Sequence, residues 1–145
     1  AIITPVGGGG LLSGTAIVTR SVLPNSKVFA AEPTGADDAF RSFESGELIP
    51  QTGPNTIADG LLTSLGNLTW PIIRDHVDAI FTVDDVSIAG AMRLIWERAK
   101  IVAEPSGAVP LAAVLSERFQ SEFNGNRIGI IISGGNVNLD RLPWQ

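Results

Sequence analysis

Apolar and polar residues alternate in blocks that predict strands and helices in turn along the chain. Short apolar runs at residues 1–6, 27–31 and 79–83 are rich in β-branched and aromatic residues, which favours buried strands. Residues 127–132 are almost entirely apolar, as in strands that a parallel sheet buries on both faces. The chain is therefore predicted to contain four strands.

The segments between these strands carry the apolar spacing of helices. We predict helices over residues 11–22, from an acidic turn at 32–38 to about 46, and over 69–76, 86–100 and 108–119. The segment 86–100, with Asp84 as N-cap, is the most regular amphipathic pattern. Pro110 is placed in the first turn of the last helix, where proline is tolerated. Alternating strands and helices indicate the α/β class.

Composition narrows the possible functions. The chain has 145 residues, enough for one domain, and 44% of them are hydrophobic against 17% charged, which disfavours disorder. The net charge of -5 and the lack of a basic run disfavour nucleic acid as a partner. No apolar stretch approaches the roughly 20 residues of a membrane span. The absence of cysteine favours a reducing compartment, so we expect a cytoplasmic location.

Four consecutive glycines separate the first strand from the first helix. In Gly7-Gly8-Gly9-Gly10-Leu11 no Cβ hinders the backbone, so successive N–H groups are able to surround an anion at the helix N-terminus. The alternatives are a strand-to-helix crossover without ligand, or a dinucleotide site with Glu32 as the ribose-binding acid. The glycine spacing argues against the dinucleotide site, because the third position of the G-x-G-x-x-G pattern holds Leu12 or Ser13.

Five segments, in this order, form a larger pattern: Pro5-Val6-Gly7-Gly8-Gly9-Gly10-Leu11, Ala31-Glu32-Pro33 with Ala36-Asp37-Asp38, Thr56-Ile57-Ala58-Asp59-Gly60, Glu104-Pro105-Ser106-Gly107, and Ser133-Gly134-Gly135-Asn136-Val137. The pattern resembles pyridoxal-phosphate (PLP) enzymes of the tryptophan-synthase-β type, and within them the serine racemase and serine/threonine dehydratase family. The resemblance implies an open, mainly parallel, twisted sheet with helices on both faces. It also implies a PLP-dependent racemase that dehydrates serine or threonine to a 2-oxo acid and ammonia.

The resemblance also implies particular cofactor-binding residues. The loop Gly7 to Leu11 would hold the cofactor's phosphate, and the hydroxyl of Ser133 would meet the pyridine nitrogen. The remaining cofactor-binding positions are Gly60, Glu104 and Gly134. For Ser133 alone, a cap at the end of a strand is the alternative.

A divalent cation is implied at three neighbouring positions. In racemase-like members Glu32 and Asp38 would bind it through their carboxylates and Ala36 through its carbonyl. Oxygen ligands select Mg²⁺, Ca²⁺ or Mn²⁺. The alternative is that these acids only favour the N-terminus of the next helix.

The family's Schiff-base lysine lies before the glycine loop, and no matching lysine occurs here. Neither Lys27 nor Lys100 has the required setting, so we expect no catalytic residue in this chain. Residues 1–145 are predicted to be the C-terminal part of the PLP-binding large domain, partnered by an N-terminal half. The resemblance implies a serine-like amino-acid substrate and a homodimer, and Lys100 and Asn136 resemble positions that line an ATP site in nucleotide-activated members. The alternative function is a non-catalytic phosphate- or nucleotide-binding α/β module.

Overall fold

Four parallel strands form one sheet in the order β3-β2-β1-β4. They are β1 (Ile2–Pro5), β2 (Val28–Pro33), β3 (Ala79–Val83) and β4 (Gly129–Ile130). The computed structural model describes residues 1–145, the whole chain. All neighbouring strands pair in parallel, which confirms the predicted α/β class and open parallel sheet.

Six helices connect the strands, and none is long and apolar enough to cross a membrane. They are α1 (Gly10–Val22), α2 (Asp38–Ser45), α3 (Trp70–His76), α4 (Asp85–Leu94), α5 (Pro105–Leu115) and α6 (Glu117–Glu122). A short 3-10 turn occupies Asp59–Leu61, and Asp84 caps α4 as predicted by accepting a hydrogen bond from Ser87 N at 2.7 Å.

The sheet is covered on both faces, and the alternation of side chains in β2 divides the core in two. Val28 and Ala30 pack with α1, α2 and α3, whereas Phe29 and Ala31 face α4, α5 and α6. On the second face Phe29, Phe81 and Phe119 meet edge to face, with ring centroids 4.9 to 5.7 Å apart. All six residues of β2 are buried, as expected for a central parallel strand.

The predicted regular helix over 86–100 is wrong in its last turn. After Leu94 the backbone widens into a π-helical segment, Ile95–Ala99, and Lys100 ends it with φ of +59°. The apolar spacing continues past Leu94, because Ile95 and Trp96 still face the core. Periodicity alone therefore did not reveal the change in winding.

The predicted helix over 108–119 is wrong at both ends. Helix α5 begins at Pro105, so Pro110 lies in its interior rather than in its first turn. Its missing N–H leaves the carbonyl of Ser106 without the usual helical partner. The chain then breaks at Ser116, whose hydroxyl accepts a hydrogen bond from Phe119 N and starts α6.

The predicted strand over 127–132 shrinks to two residues in the structure. Gly129 is exposed and Ile130 half-buried, because β4 is an edge strand that pairs only with β1. The prediction of a strand buried on both faces is therefore wrong for this chain.

Candidate functional site

The predicted site residues follow the carboxyl ends of adjacent strands. The pairs Pro5↔Ala31 and Ile3↔Ile130 fix the register. Beyond these pairs Val6 N still donates to the Ala31 carbonyl at 3.1 Å and Ile131 N to the Ile3 carbonyl at 3.0 Å. Glu32, the glycine loop and the segment that leads to Ser133 therefore follow at the same edge. Ligands of open α/β sheets bind at this edge, so the topology assembles the site from distant parts of the sequence.

The glycine loop presents an unbroken row of unpaired donors. None of the backbone N–H groups from Gly7 to Leu12 has an acceptor in the protein, whereas Val6 N and Ser13 N on either side do. Gly7 and Gly9 are buried, and buried N–H groups without partners are rare in proteins. Since the row ends in the first turn of α1, the helix dipole adds positive potential. This donor set fits a dianionic phosphate.

The residues just before α3 stabilise the conformation of the glycine loop. The Oγ1 of Thr69 donates to the Gly8 carbonyl at 2.8 Å, and Gly66 N donates to the same oxygen at 3.2 Å. Gly9 has φ of +87°, and a Cβ there would lie 2.7 Å from Thr69 Oγ1. The sequence analysis did not assign Thr69 to the site. The available signal was a hydroxyl residue directly before Trp70-Pro71, at the start of a predicted helix.

A second loop follows β4 and packs on the start of α5. Glu104 Oε2 accepts a hydrogen bond from Asn136 N at 2.8 Å, and Glu104 N donates to the Gly134 carbonyl at 3.3 Å. Gly134 has φ of +82°, and a Cβ there would come within 2.4 Å of the Glu104 carboxylate. The half-buried Ser133 hydroxyl makes no hydrogen bond in the protein. It is therefore free to bind a ligand.

Gly60 lies between the two loops. Its N–H donates to the buried hydroxyl of Ser106 at 3.0 Å. A Cβ at Gly60 would lie 3.6 Å from Glu104 Oε1, and a Cβ at Gly7 would lie 3.4 Å from Gly60 O. The structure thus brings the predicted cofactor-binding residues of both loops together, with Ser106 as a contact that the sequence analysis missed.

Glu32 and Asp38 are fully buried beside this edge, together with Ala36. Glu32 lies in β2 rather than in a turn, and its two oxygens accept from Ala39 N at 3.1 Å and Phe40 N at 2.9 Å. Asp38 accepts from Leu65 N at 2.8 Å and from Gln51 Nε2 at 3.1 Å. The carbonyl oxygen of Ala36 accepts no hydrogen bond.

Burial raises the pKa of Glu32 to about 8, although the hydrogen bonds from Phe40 and Ala39 lower it. Burial also raises the pKa of Asp38, against the lowering effect of Leu65 N. Burial disfavours the charged form of both acids, and a partner cation would stabilise both charges. The structure contains no cluster of three or more His, Cys, Asp or Glu side chains that could hold a metal ion. The predicted set differs from such a cluster, because it consists of two carboxylates and one backbone carbonyl.

The cavities of the fold lie away from the candidate site or at its border. The largest, of about 460 Å³, opens at the amino-terminal edge of the sheet among Lys27, Asp78 and Phe123. Another, of about 350 Å³, is bordered by Asp59, Asn136 and other residues next to the second loop. The chemistry-bearing groups therefore line an open edge of the sheet rather than an enclosed cavity of this chain.

Both lysines are engaged away from the glycine loop. Lys27 Nζ donates to Asp78 at the opposite edge of the sheet, at 2.8 Å. Lys100 Nζ donates to the Glu97 carbonyl at 2.7 Å on the exposed end of the π segment. Neither amine is placed beside the row of unpaired donors.

Comparison with known proteins agrees with this geometry. The family described as "Pyridoxal-phosphate dependent enzyme" matches residues 1–134. The chain is 57% identical over 144 residues to serine racemase of Dictyostelium discoideum, covering 98% of this chain and 44% of that protein. It is 49% identical over 145 residues to beta-hydroxyaspartate dehydratase of Paracoccus denitrificans, covering 100% of this chain and 45% of that protein.

Solved structures show the same fold. The crystal structure of the Dictyostelium discoideum serine racemase superposes with a TM-score of 0.90 over 95% of this chain and 44% of the other. The structure of maize serine racemase is 49% identical, with a TM-score of 0.92 over 95% of this chain and 43% of the other. A crystal structure of a threonine deaminase is 43% identical, with a TM-score of 0.88 over 95% of this chain and 50% of the other.

The chain belongs to the family of pyridoxal-phosphate-dependent enzymes, a family with racemase and ammonia-lyase members. This confirms the resemblance drawn from the five sequence segments, and the family supports pyridoxal phosphate as the cofactor. The chain spans less than half the length of the curated relatives that it matches.

Proposed function

We propose that this chain is the C-terminal part of the PLP-binding large domain of a serine racemase that also dehydrates serine and threonine. One observation carries the proposal: six consecutive unpaired N–H donors, Gly7 to Leu12, follow a strand next to the one that leads to Ser133. This arrangement offers a phosphate site and a free hydroxyl at one sheet edge. The 57% identity to a serine racemase supports the substrate class.

The residues of this chain would divide the work of holding the cofactor. The donors of the glycine loop would bind its phosphate, and the Ser133 hydroxyl would hydrogen-bond its ring nitrogen. When bound, PLP withdraws electrons from the bonds at the Cα of an amino acid. Ser133 is a neutral partner, so it would hold the nitrogen without giving it a full charge. As a neutral partner, Ser133 would suit racemisation and loss of the β-hydroxyl.

The remaining groups would shape the site. Glu104 and Gly134 hold each other through the hydrogen bond from Glu104 N, which fixes the backbone next to Ser133. Glu32, Ala36 and Asp38 would bind Mg²⁺, Ca²⁺ or Mn²⁺. The proposal also includes an N-terminal half that supplies the reactive lysine, a homodimer, and ATP near Asn136 and Lys100.

The full-length protein that carries this chain tests the proposal directly. We expect purified protein to show the visible absorbance of bound PLP, to form D-serine from L-serine, and to form 2-oxo acids from L-serine and L-threonine. Loss of 3-hydroxyaspartate, measured in parallel, would favour the activity named for the Paracoccus relative. Protein that binds inorganic phosphate, shows no PLP absorbance and turns over none of these substrates would support the non-catalytic module instead.

A further inference from the structure

The segment Thr56–Gly60, called here the bridging loop, forms a wall shared by both halves of the site. Its last residue, Gly60, lies next to the glycine loop on one side, because a Cβ at Gly7 would lie 3.4 Å from Gly60 O. On the other side, a Cβ at Gly60 would lie 3.6 Å from Glu104 Oε1. Any shift of the bridging loop therefore changes the space between the phosphate donors and the loop of Ser133.

The start of the bridging loop is held by one carboxylate outside the site. Asp85, in the first turn of α4, accepts a hydrogen bond from the Thr56 hydroxyl with one oxygen. Its other oxygen accepts from Ile57 N at 3.1 Å. Thr56 Oγ1 in turn accepts from Ala58 N at 3.2 Å. Asp85 thus fixes three consecutive residues, since hydrogen bonds to a charged acceptor are the strong ones.

The end of the bridging loop has a separate anchor. Gly60 N donates to Ser106 Oγ at 3.0 Å, and Ser106 is only 3% exposed in the first turn of α5. Between the two anchors Ala58 is completely buried, whereas the exposed Asp59 side chain makes no hydrogen bond. The bridging loop is therefore held at one end by the start of α4 and at the other by the start of α5. Asp85 is its only charged hydrogen-bond partner.

We propose that Asp85 is a positioning residue for the cofactor site, acting through Thr56 and the bridging loop. The inference rests on the proposed function, because it concerns where the cofactor ring is held. The Asp85 side chain makes no hydrogen bond to the predicted cofactor-binding residues, so it acts on them by placing Gly60. Small misplacements at a reacting centre are costly, since a shift of about 1 Å is able to lower a rate about a hundredfold.

The test compares Asp85→Ala with a control from the same helix start in the full-length protein. Asp84→Ala removes the cap bond to Ser87 N but leaves the bridging loop untouched. We expect Asp85→Ala to raise the dissociation constant of PLP about tenfold, as loss of an outer partner does at other sites, and to change the circular dichroism of the bound cofactor. Asp84→Ala should change neither, although both variants lose a bond at the start of α4.

A second substitution shows whether Asp85 acts through Thr56. Thr56→Val removes the same hydrogen bond from the other side, together with the acceptor of Ala58 N. Because the two single variants share one lost bond, the double variant should lose less PLP affinity than the sum of the two single losses. Additive losses in the double variant would overturn this route. Equal PLP affinities and spectra of Asp85→Ala and Asp84→Ala would overturn the positioning role.

Amide hydrogen exchange without cofactor separates this inference from the proposed function. We expect the amides of residues 57–60 to exchange faster in Asp85→Ala than in wild type, and at the wild-type rate in Asp84→Ala. Wild-type protein that binds no PLP would end the proposed function. Unchanged exchange at 57–60 in Asp85→Ala would end the positioning role, whatever the cofactor result.

Discussion

At the scale of single residues, the four glycines of the first loop are not equivalent. Gly9 needs its positive φ of +87° and has no room for a Cβ, so its role includes the fold itself. Gly8 is exposed, lacks a positive φ, and a Cβ there would meet nothing closer than 3.8 Å. Gly8 is therefore the position where a side chain disturbs a ligand without disturbing the protein.

We predict that Gly8→Val abolishes PLP retention in the full-length protein while leaving its unfolding midpoint nearly unchanged, because the new side chain enters the phosphate space. Gly14→Ala in α1 is the control, since its Cβ meets nothing within 4 Å and it lies outside the site. That change should stabilise the helix by up to about 1 kcal/mol and leave PLP binding intact. Cofactor titration with thermal unfolding checks both, and wild-type PLP occupancy in Gly8→Val would refute the phosphate site.

The two buried acids near α2 give a prediction about metal ions. Mg²⁺ or Ca²⁺ at a hundredfold excess over its Kd should stabilise the full-length protein by about 2.7 kcal/mol, and EDTA should reverse the gain. Asp38→Asn should lose this response, because a charged ligand is removed, whereas exposed Asp140→Asn should retain it. Identical melting curves of the wild type with metal and with EDTA would speak against the cation site.

At the scale of elements, one ion cluster joins α1 to the amino-terminal ends of β2 and β3. Asp78, just before β3, binds Arg20 of α1 at 2.6 Å and Lys27 at 2.8 Å. It also accepts from Val28 N at 2.8 Å, and Arg20 Nη2 donates to the His76 carbonyl at 2.9 Å. This cluster lies at the edge opposite the candidate site, so its role is to hold the layers together.

We predict that Asp78→Asn lowers the free energy of unfolding by about 2 kcal/mol at pH 7, the range for hydrogen bonds to a charged group. Burial would raise the pKa of Asp78, but the hydrogen bonds from Lys27, Val28 and Arg20 lower it below its usual value. The stabilisation is therefore complete above the unfolded pKa of about 3.9 and is lost as pH falls through the lower folded value.

Chemical unfolding from pH 7 down to pH 3 checks this prediction. The gap between wild type and Asp78→Asn should stay constant to about pH 4 and then close. Asp75→Asn is the control, because the Asp75–Arg74 pair is exposed and should contribute little at any pH. A gap that widens in acid would contradict the assigned sign.

At the scale of the whole molecule, the sequence predicted strands β1 to β3 of the sheet more closely than the ends of α4 and α5. The strand at Ala79–Val83 and the cap at Asp84 follow from local pattern, and both are present as predicted. The glycine loop and the loop of Ser133 were identifiable because their residues carry their own chemistry. The site contacts of Thr69 and Ser106 escaped prediction, although Thr69 stands at a recognisable helix start and Ser106 in one of the five segments. The backbone groups with which their hydroxyls pair are set only by the fold.

The edge strand explains the largest difference between pattern and structure. Residues 127–132 have the composition of a strand buried on both sides, but β4 pairs only with β1. Exposed edges and half-buried apolar residues such as Ile130 and Ile132 favour association with another chain. This mismatch agrees with the proposal that a further segment of the protein completes the sheet.

The last prediction concerns this chain on its own. We expect it to form no pyruvate from serine with added PLP, because Lys27 is bound to Asp78 at the far edge and Lys100 to the Glu97 carbonyl. We also expect it to self-associate through the β4 edge in gel filtration. Co-expression with the remaining half of the protein should restore both a defined size and turnover. Pyruvate formation by the chain alone, with stoichiometric borohydride labelling of Lys27 or Lys100 by PLP, would overturn the proposal that the reactive lysine lies in the other half.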